Sequence, residues 1–200
     1  MPQISPAEFC ALPLRVHTFL ADVPLHDVWA VDLPPARARV TLAEFHPIGS
    51  RNGGTRRLAG PARALFGLRF FLGRIFGLER EPKSGDSASF AARLTPEDRA
   101  RSSVEAGTPA GAFRAVYRFE DESLLELRNR TAHAAALSAL TPTANGYRFY
   151  LAVYVANESW LTPLYMALID PFRRWIVYPA VLNNIRAARI EFVSSRGADR

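Results

Sequence analysis

Cysteine is almost absent from this chain. Cys10 is the only one, so no intramolecular disulfide can form and nothing points to an oxidising compartment. Also missing is an uncharged apolar run of about 20 residues, the length a helix needs to cross a bilayer. The stretch from Trp160 to Phe192 comes closest, but Asp170, Arg173 and Arg174 interrupt its middle. The N-terminal MPQISPAEFCALPLR has neither a basic start nor an unbroken apolar segment. No signal peptide is therefore expected, and the chain reads as cytoplasmic. His17, His26 and His46 are scattered, with no carboxylate or cysteine at ligand spacing, which argues against a zinc site. There is no phosphate-binding loop, dinucleotide glycine fingerprint or nucleophile elbow. Gly53-Gly54 with Arg51, Arg56 and Arg57 is ordinary turn composition. Neither a metal nor an organic cofactor is expected.

What is present is apolar material in regular patterns. The chain has 200 residues, 48% of them hydrophobic, enough for the core of one domain. The formal charge of +6 is carried mostly by arginine and reads as a solvated basic surface, not as a nucleic-acid site. Residues 1–24 are Pro-rich and read as an arm over the surface, residues 25–192 as the domain, and residues 193–200 as a flexible tail. Leu25–Leu33, bounded by prolines, has strand composition. Thr41-Leu-Ala-Glu44 and Thr95-Pro96-Glu97-Asp98 are helix starts. Pro61–Leu78 has apolar residues at helical spacing, with phenylalanines widening the stripe and Arg63, Arg69 and Arg74 interrupting it.

Strand patterns follow. In Phe113–Phe119, residues Phe113, Ala115, Tyr117 and Phe119 alternate with Arg114, Val116 and Arg118. Ser123–Leu140 has no strong breaker and reads either as one long bent strand or as two short ones. After a turn at Thr141–Gly146, Tyr147–Ala156 alternates again, with Phe149, Leu151, Val153 and Val155 on one face. From Leu161 through Leu164, Leu168, Phe172 and Trp175 to Ile185, apolar residues recur at steps of three and four. That spacing gives a long helix with a wide apolar face, started by Thr162 and Pro163. The expected fold is α+β, a curved antiparallel sheet with this helix packed along it.

Three stretches carry a resemblance. SLLELRNRTAHA (Ser123–Ala134), LFGLRFFLGRIFGL (Leu65–Leu78) and DPFRRWIVYP (Asp170–Pro179) together resemble a bacterial family of domains of unknown function. That family is similar to the helix-grip superfamily of START-like, pollen-allergen-like and polyketide cyclase-like (SRPBCC) proteins. The resemblance covers roughly Leu25 to Arg189. It implies an antiparallel sheet wrapped round a long C-terminal helix, with a cavity between them. It implies no single activity.

Candidate site residues follow from this picture. Counting by twos from Leu125 puts Asn129, Thr131 and His133 on one face of a regular strand, where they would orient the polar end of a ligand. A one-residue slip would put Glu126 and Arg128 there instead. Tyr117, Phe149, Tyr165 and Trp175 are the apolar lining expected around the same ligand. The first functional expectation is a binding module for an apolar small molecule or lipid. The second is a metal-free cyclase or hydratase in which His133 acts as general acid or base. A third is peripheral membrane or protein-partner contact through the basic, Phe-rich helix Pro61–Arg80.

Overall fold

The computed structural model describes residues 3–33, 41–42, 88–111, 113–128 and 133–156. The chain begins with two five-residue helices, α1 (Pro6–Cys10) and α2 (Arg15–Phe19), followed by strand β1 (Leu25–Leu33). A 3-10 turn (Phe90–Arg93) and a six-residue helix α3 (Pro96–Arg101) lead into strands β2 (Pro109–Ala110), β3 (Phe113–Arg118), β4 (Glu122–Arg128), β5 (His133–Thr143) and β6 (Gly146–Ala156). The six strands form one antiparallel sheet in the order β1-β6-β5-β4-β3-β2.

The helix-grip expectation is corrected by this architecture. Among the described residues no helix reaches seven residues and none is gripped by the sheet. The periodic stretch Trp160–Phe192 lies outside the described residues, as does the Pro61–Leu78 stretch. Instead, one face of the sheet is covered by the N-terminal arm together with the turn at residues 90–94. Phe9, Val16, Phe19 and Leu20 from the arm and Phe90 and Leu94 join Tyr117, Leu124, Leu137, Ala152 and Tyr154 of the sheet in one buried cluster. Each of the large arm side chains, at no more than 6% exposed, contributes roughly 2 kcal/mol through burial. Helices of five residues are too short to show an amphipathic period, so the arm's core role leaves no trace in periodicity.

Small side chains let the arm approach. On this face β5 presents Ala135, Leu137 and Ala139, and β6 presents Ala152 between Tyr150 and Tyr154. The alanines form a trough in which Phe9 meets Tyr150 at 5.9 Å between ring centroids. Across the sheet, Phe19 stands edge-on to Tyr117 at 5.5 Å. The arm also reaches the sheet edge, where Ile4 N–H donates to the Val28 carbonyl.

The Ser123–Leu140 stretch is two strands. Arg128 pairs with His133 and Leu125 with Ala136, so partners have opposite parity and the facing set reverses across the connection. Leu125 and His133 therefore face opposite sides, although counting by twos along a single strand places them together. In β3 the register shifts between Ala115 and Tyr117, and both Val116 and Tyr117 enter the main cluster. The α3 helix starts as its sequence predicts. Thr95 Oγ accepts from the Asp98 N–H at 3.1 Å, while the Asp98 carboxylate accepts from the Thr95 N–H at 3.2 Å.

Candidate functional site

Strand β4 carries two buried glutamates on the arm-covered face, Glu122 and Glu126, with Leu124 between them. Each meets the start of a short helical segment. Helix α2 begins after Leu14, which has no capping side chain. The Glu122 carboxylate does that work from across the sheet, accepting from the Arg15 N–H at 2.7 Å and the Val16 N–H at 2.9 Å. The Tyr117 hydroxyl also donates to Glu122. Burial pushes the Glu122 carboxyl above its ordinary range despite these donors. Burial, with the neighbouring Glu122 charge, pushes the Tyr117 phenol far up, so it stays a hydrogen-bond donor.

Glu126 meets the turn at residues 90–93 in the same way. Its Oε2 accepts from the Ser89 hydroxyl at 2.5 Å and its Oε1 from the Phe90 N–H at 3.0 Å. His133 Nε2 lies 2.5 Å from the same Oε1. Burial works to raise the Glu126 pKa, but the hydrogen bonds from His133, Ser89 and Phe90 outweigh it and hold the group below its ordinary range. Because an ionised carboxylate only accepts, Nε2 must carry the proton. The imidazole is stacked on Phe90 at 3.9 Å between centroids and is 2% exposed. His133 Nε2 is thus committed to Glu126.

A third polar contact ties these parts together. The Arg15 guanidinium forks onto Asp98, with Nε and Nη2 each 2.9 Å from a carboxylate oxygen. That contact holds the Asp98 carboxyl down at about 2. Arg15 therefore joins α2 to β4 through its backbone and to α3 through its side chain.

The other face of the sheet differs. Val31, Leu33, Leu42, Leu140 and Phe149 form a second buried cluster at one end, with Trp29, Tyr147 and Leu151 packed against it. Further along, Leu125, Leu127, Ala136, Leu151 and Val153 are only half-buried. Cross-strand pairing sets Leu125 beside Ala136, Ala136 beside Val153, and Leu151 beside Trp29. The result is a short apolar row on β4, β5 and β6 that meets the buried Asp27 on β1, with Trp29 and Leu151 in the next row beside Ser138 and Ser123.

The residues expected to form one site are divided by this geometry. His133 and Tyr117 lie on the arm-covered face but serve different glutamates, and Phe149 lies on the opposite face. Asn129, Thr131, Tyr165 and Trp175 lie outside the described residues. Of the competing sets on the Ser123–Leu140 stretch, the structure takes one member from each and joins Glu126 to His133. Glu122 is not legible as a site residue, because Asp121-Glu122 reads as a turn. Its signal is a carboxylate beginning a strand whose next same-face residue, Leu124, is apolar.

Among the described residues no group of three or more His, Cys, Asp or Glu side chains is arranged to hold a metal. Among the same residues no helix is long and apolar enough to cross a membrane. No curated protein matches this chain. Residues 19–180 match the model of a family described as a protein of unknown function (DUF2867), and with that match spanning most of its length the chain belongs to this family.

Proposed function

We propose that the protein binds an apolar small molecule or lipid against the face of the sheet opposite the arm. The observation that carries this is the half-buried apolar row of Leu125, Leu127, Ala136, Leu151, Val153 and Trp29. An antiparallel sheet with one face buried usually turns polar side chains to the other. Here the second face carries Leu125, Leu127, Ala136, Leu151, Val153 and Trp29, with Asp27, Ser123 and Ser138 beside them, which suits a hydrophobic guest with a polar end. Phe149 closes one end of the row, and it is the expected lining residue that lies on this side. The test is titration of the full chain with a fluorescent long-chain fatty acid. Leu127→Glu and Leu151→Glu should each weaken binding by about tenfold or more, since a charge in an apolar contact costs at least about 1.4 kcal/mol. Unchanged binding in both variants would rule the face out.

A second reading rests on the Glu126–His133 contact, which has the orienting carboxylate that a general acid or base requires. In that reading His133, oriented by Glu126, acts as general acid or base in metal-free cyclase or hydratase chemistry. Turnover of a cyclisable or hydratable substrate that survives His133→Gln would remove it.

A further inference from the structure

We infer that the Glu126–His133 contact is a pH-sensitive latch that holds the turn at residues 89–94 against the sheet. Three donors from two separate segments converge on this one carboxylate: the Ser89 hydroxyl, the Phe90 N–H and His133 Nε2–H. Glu126 is 5% exposed and His133 2%, so neither group can turn to water without the turn moving. The Phe90 ring lies over the imidazole, and the Arg93 guanidinium lies over the outer side of the same ring at 5.2 Å. Arg93 reaches on to Asp22 at 2.6 Å, so the turn is tied to the arm as well as to β4 and β5.

A proton arriving at Glu126 has little room. Oε1 already faces two N–H groups, so the proton can sit only on Oε2, against Ser89 Oγ. That oxygen already accepts from the Ala91 N–H at 3.1 Å. Neutralising the carboxylate therefore removes the charge from all three hydrogen bonds at once. That loss drives the turn off the sheet as the pH falls. The lowered pKa of Glu126 agrees in sign with a carboxylate that the docked turn stabilises in its ionised form.

The charged and titratable groups around the latch come from each neighbouring element. Arg114 of β3 is the cross-strand partner of Glu126, and Arg128 pairs with His133 on the same face. Glu122 lies four residues back along β4, Tyr154 of β6 is reached across Ala135, and Arg99 of α3 donates to the Ala91 carbonyl of the turn at 3.0 Å. Of these only Glu122 is a second carboxylate, and its donors come from the arm and from Tyr117, not from the turn.

The test is hydrogen exchange of the full chain, followed by mass spectrometry from about pH 7 to about pH 3, below the ordinary value of 4.5, and corrected for the intrinsic pH dependence. The expected result is that the amides of Phe90, Ala92 and Leu94 lose about tenfold or more of their protection on acidification, while those of β5 and β6 keep theirs. Glu126→Gln should show the weakened protection already at neutral pH and little further change in acid. Asp98→Asn, which alters the other carboxylate near this turn, should leave the acid response in place. Protection at 90–94 that does not change with pH would overturn the latch. So would an acid response that persists in Glu126→Gln. If Glu126→Gln does not fold, Ser89→Ala removes one donor and keeps the charge, and its release should then move to higher pH. A release unmoved in Ser89→Ala would count against the latch.

Discussion

Glu122 and Glu126 sit four positions apart on one strand and one face, each at the start of a short helical segment, yet their surroundings push them in opposite directions. Glu122 is desolvated beside a phenol and two backbone amides, and its carboxyl is raised. Glu126 has an imidazole, a hydroxyl and an amide, and the same kind of burial is overcome. The difference lies in burial and in partners together: Glu122 is the more deeply desolvated and has the Asp121 charge nearby, whereas at Glu126 the hydrogen bonds from His133, Ser89 and Phe90 outweigh a smaller desolvation. One glutamate fixes the arm as a permanent part of the core, and the other holds a turn that a proton can release. Position on a strand does not determine what a buried carboxylate does; the depth of burial and the partner set do.

Removing the first anchor should have the largest effect. Glu122→Ala leaves the Arg15 and Val16 amides and the Tyr117 hydroxyl without an acceptor, at a cost of about 3–5 kcal/mol in denaturant unfolding. A loss near 1 kcal/mol would mean that water replaces the carboxylate and that the arm is not held there. Next is the Arg15–Asp98 fork. The Asp98 pKa is lowered from 3.8 to about 2, so its contribution, roughly 2 kcal/mol, is fully present above the ordinary value and lost as the pH falls toward the folded one. Asp98→Asn should lack that acid loss, which stability measured across that window will show.

The pH comparison between the two glutamates is finer. Glu126 has a lowered folded pKa, so its contribution is present above the ordinary value of 4.5 and lost as the pH falls through the folded one. Glu122 has a raised folded pKa, so its contribution is full below 4.5 and declines as the pH rises through the folded value. The stability gap between wild type and Glu126→Gln should therefore narrow in acid, while the gap between wild type and Glu122→Gln should shift the opposite way. Gaps that move in the same direction would break the contrast. The smallest effect belongs to the surface. Arg148→Ala removes a contact with Asp32, whose side chain is 71% exposed, and should change stability by less than about 1 kcal/mol.

The strands were legible because they alternate. Phe113–Phe119 and Tyr147–Ala156 show period two, and Thr95-Pro96-Glu97-Asp98 carries its own capping box. What alternation cannot show is parity across a connection. The hairpin between Arg128 and His133 reverses the facing set, so the trio Asn129, Thr131 and His133 and the pair Glu126 and Arg128 were set against each other when one residue of each meets the other. The sequence of the arm reads as a surface segment because its prolines and short helices hide its apolar residues, yet Phe9 and Val16 are fully buried. The long apolar stripe near the C-terminus suggested a helix for the sheet to wrap, but a stripe says only that a face is apolar, not what covers it. Buried carboxylates leave only a faint sequence signal, because several of their partners come from distant segments.

The central proposal is that the two faces of this sheet have different tasks, one filled by the arm and the turn and the other taking an apolar guest. Methyl NMR of the full chain during titration with a long-chain fatty acid tests this most directly. The account predicts shifts at Leu125, Leu127, Leu151 and Val153, with Leu124, Leu137 and Val28 of the arm-covered face unmoved. Shifts confined to Leu124, Leu137 and Val28, or no saturable shift at any of these methyls, would contradict it.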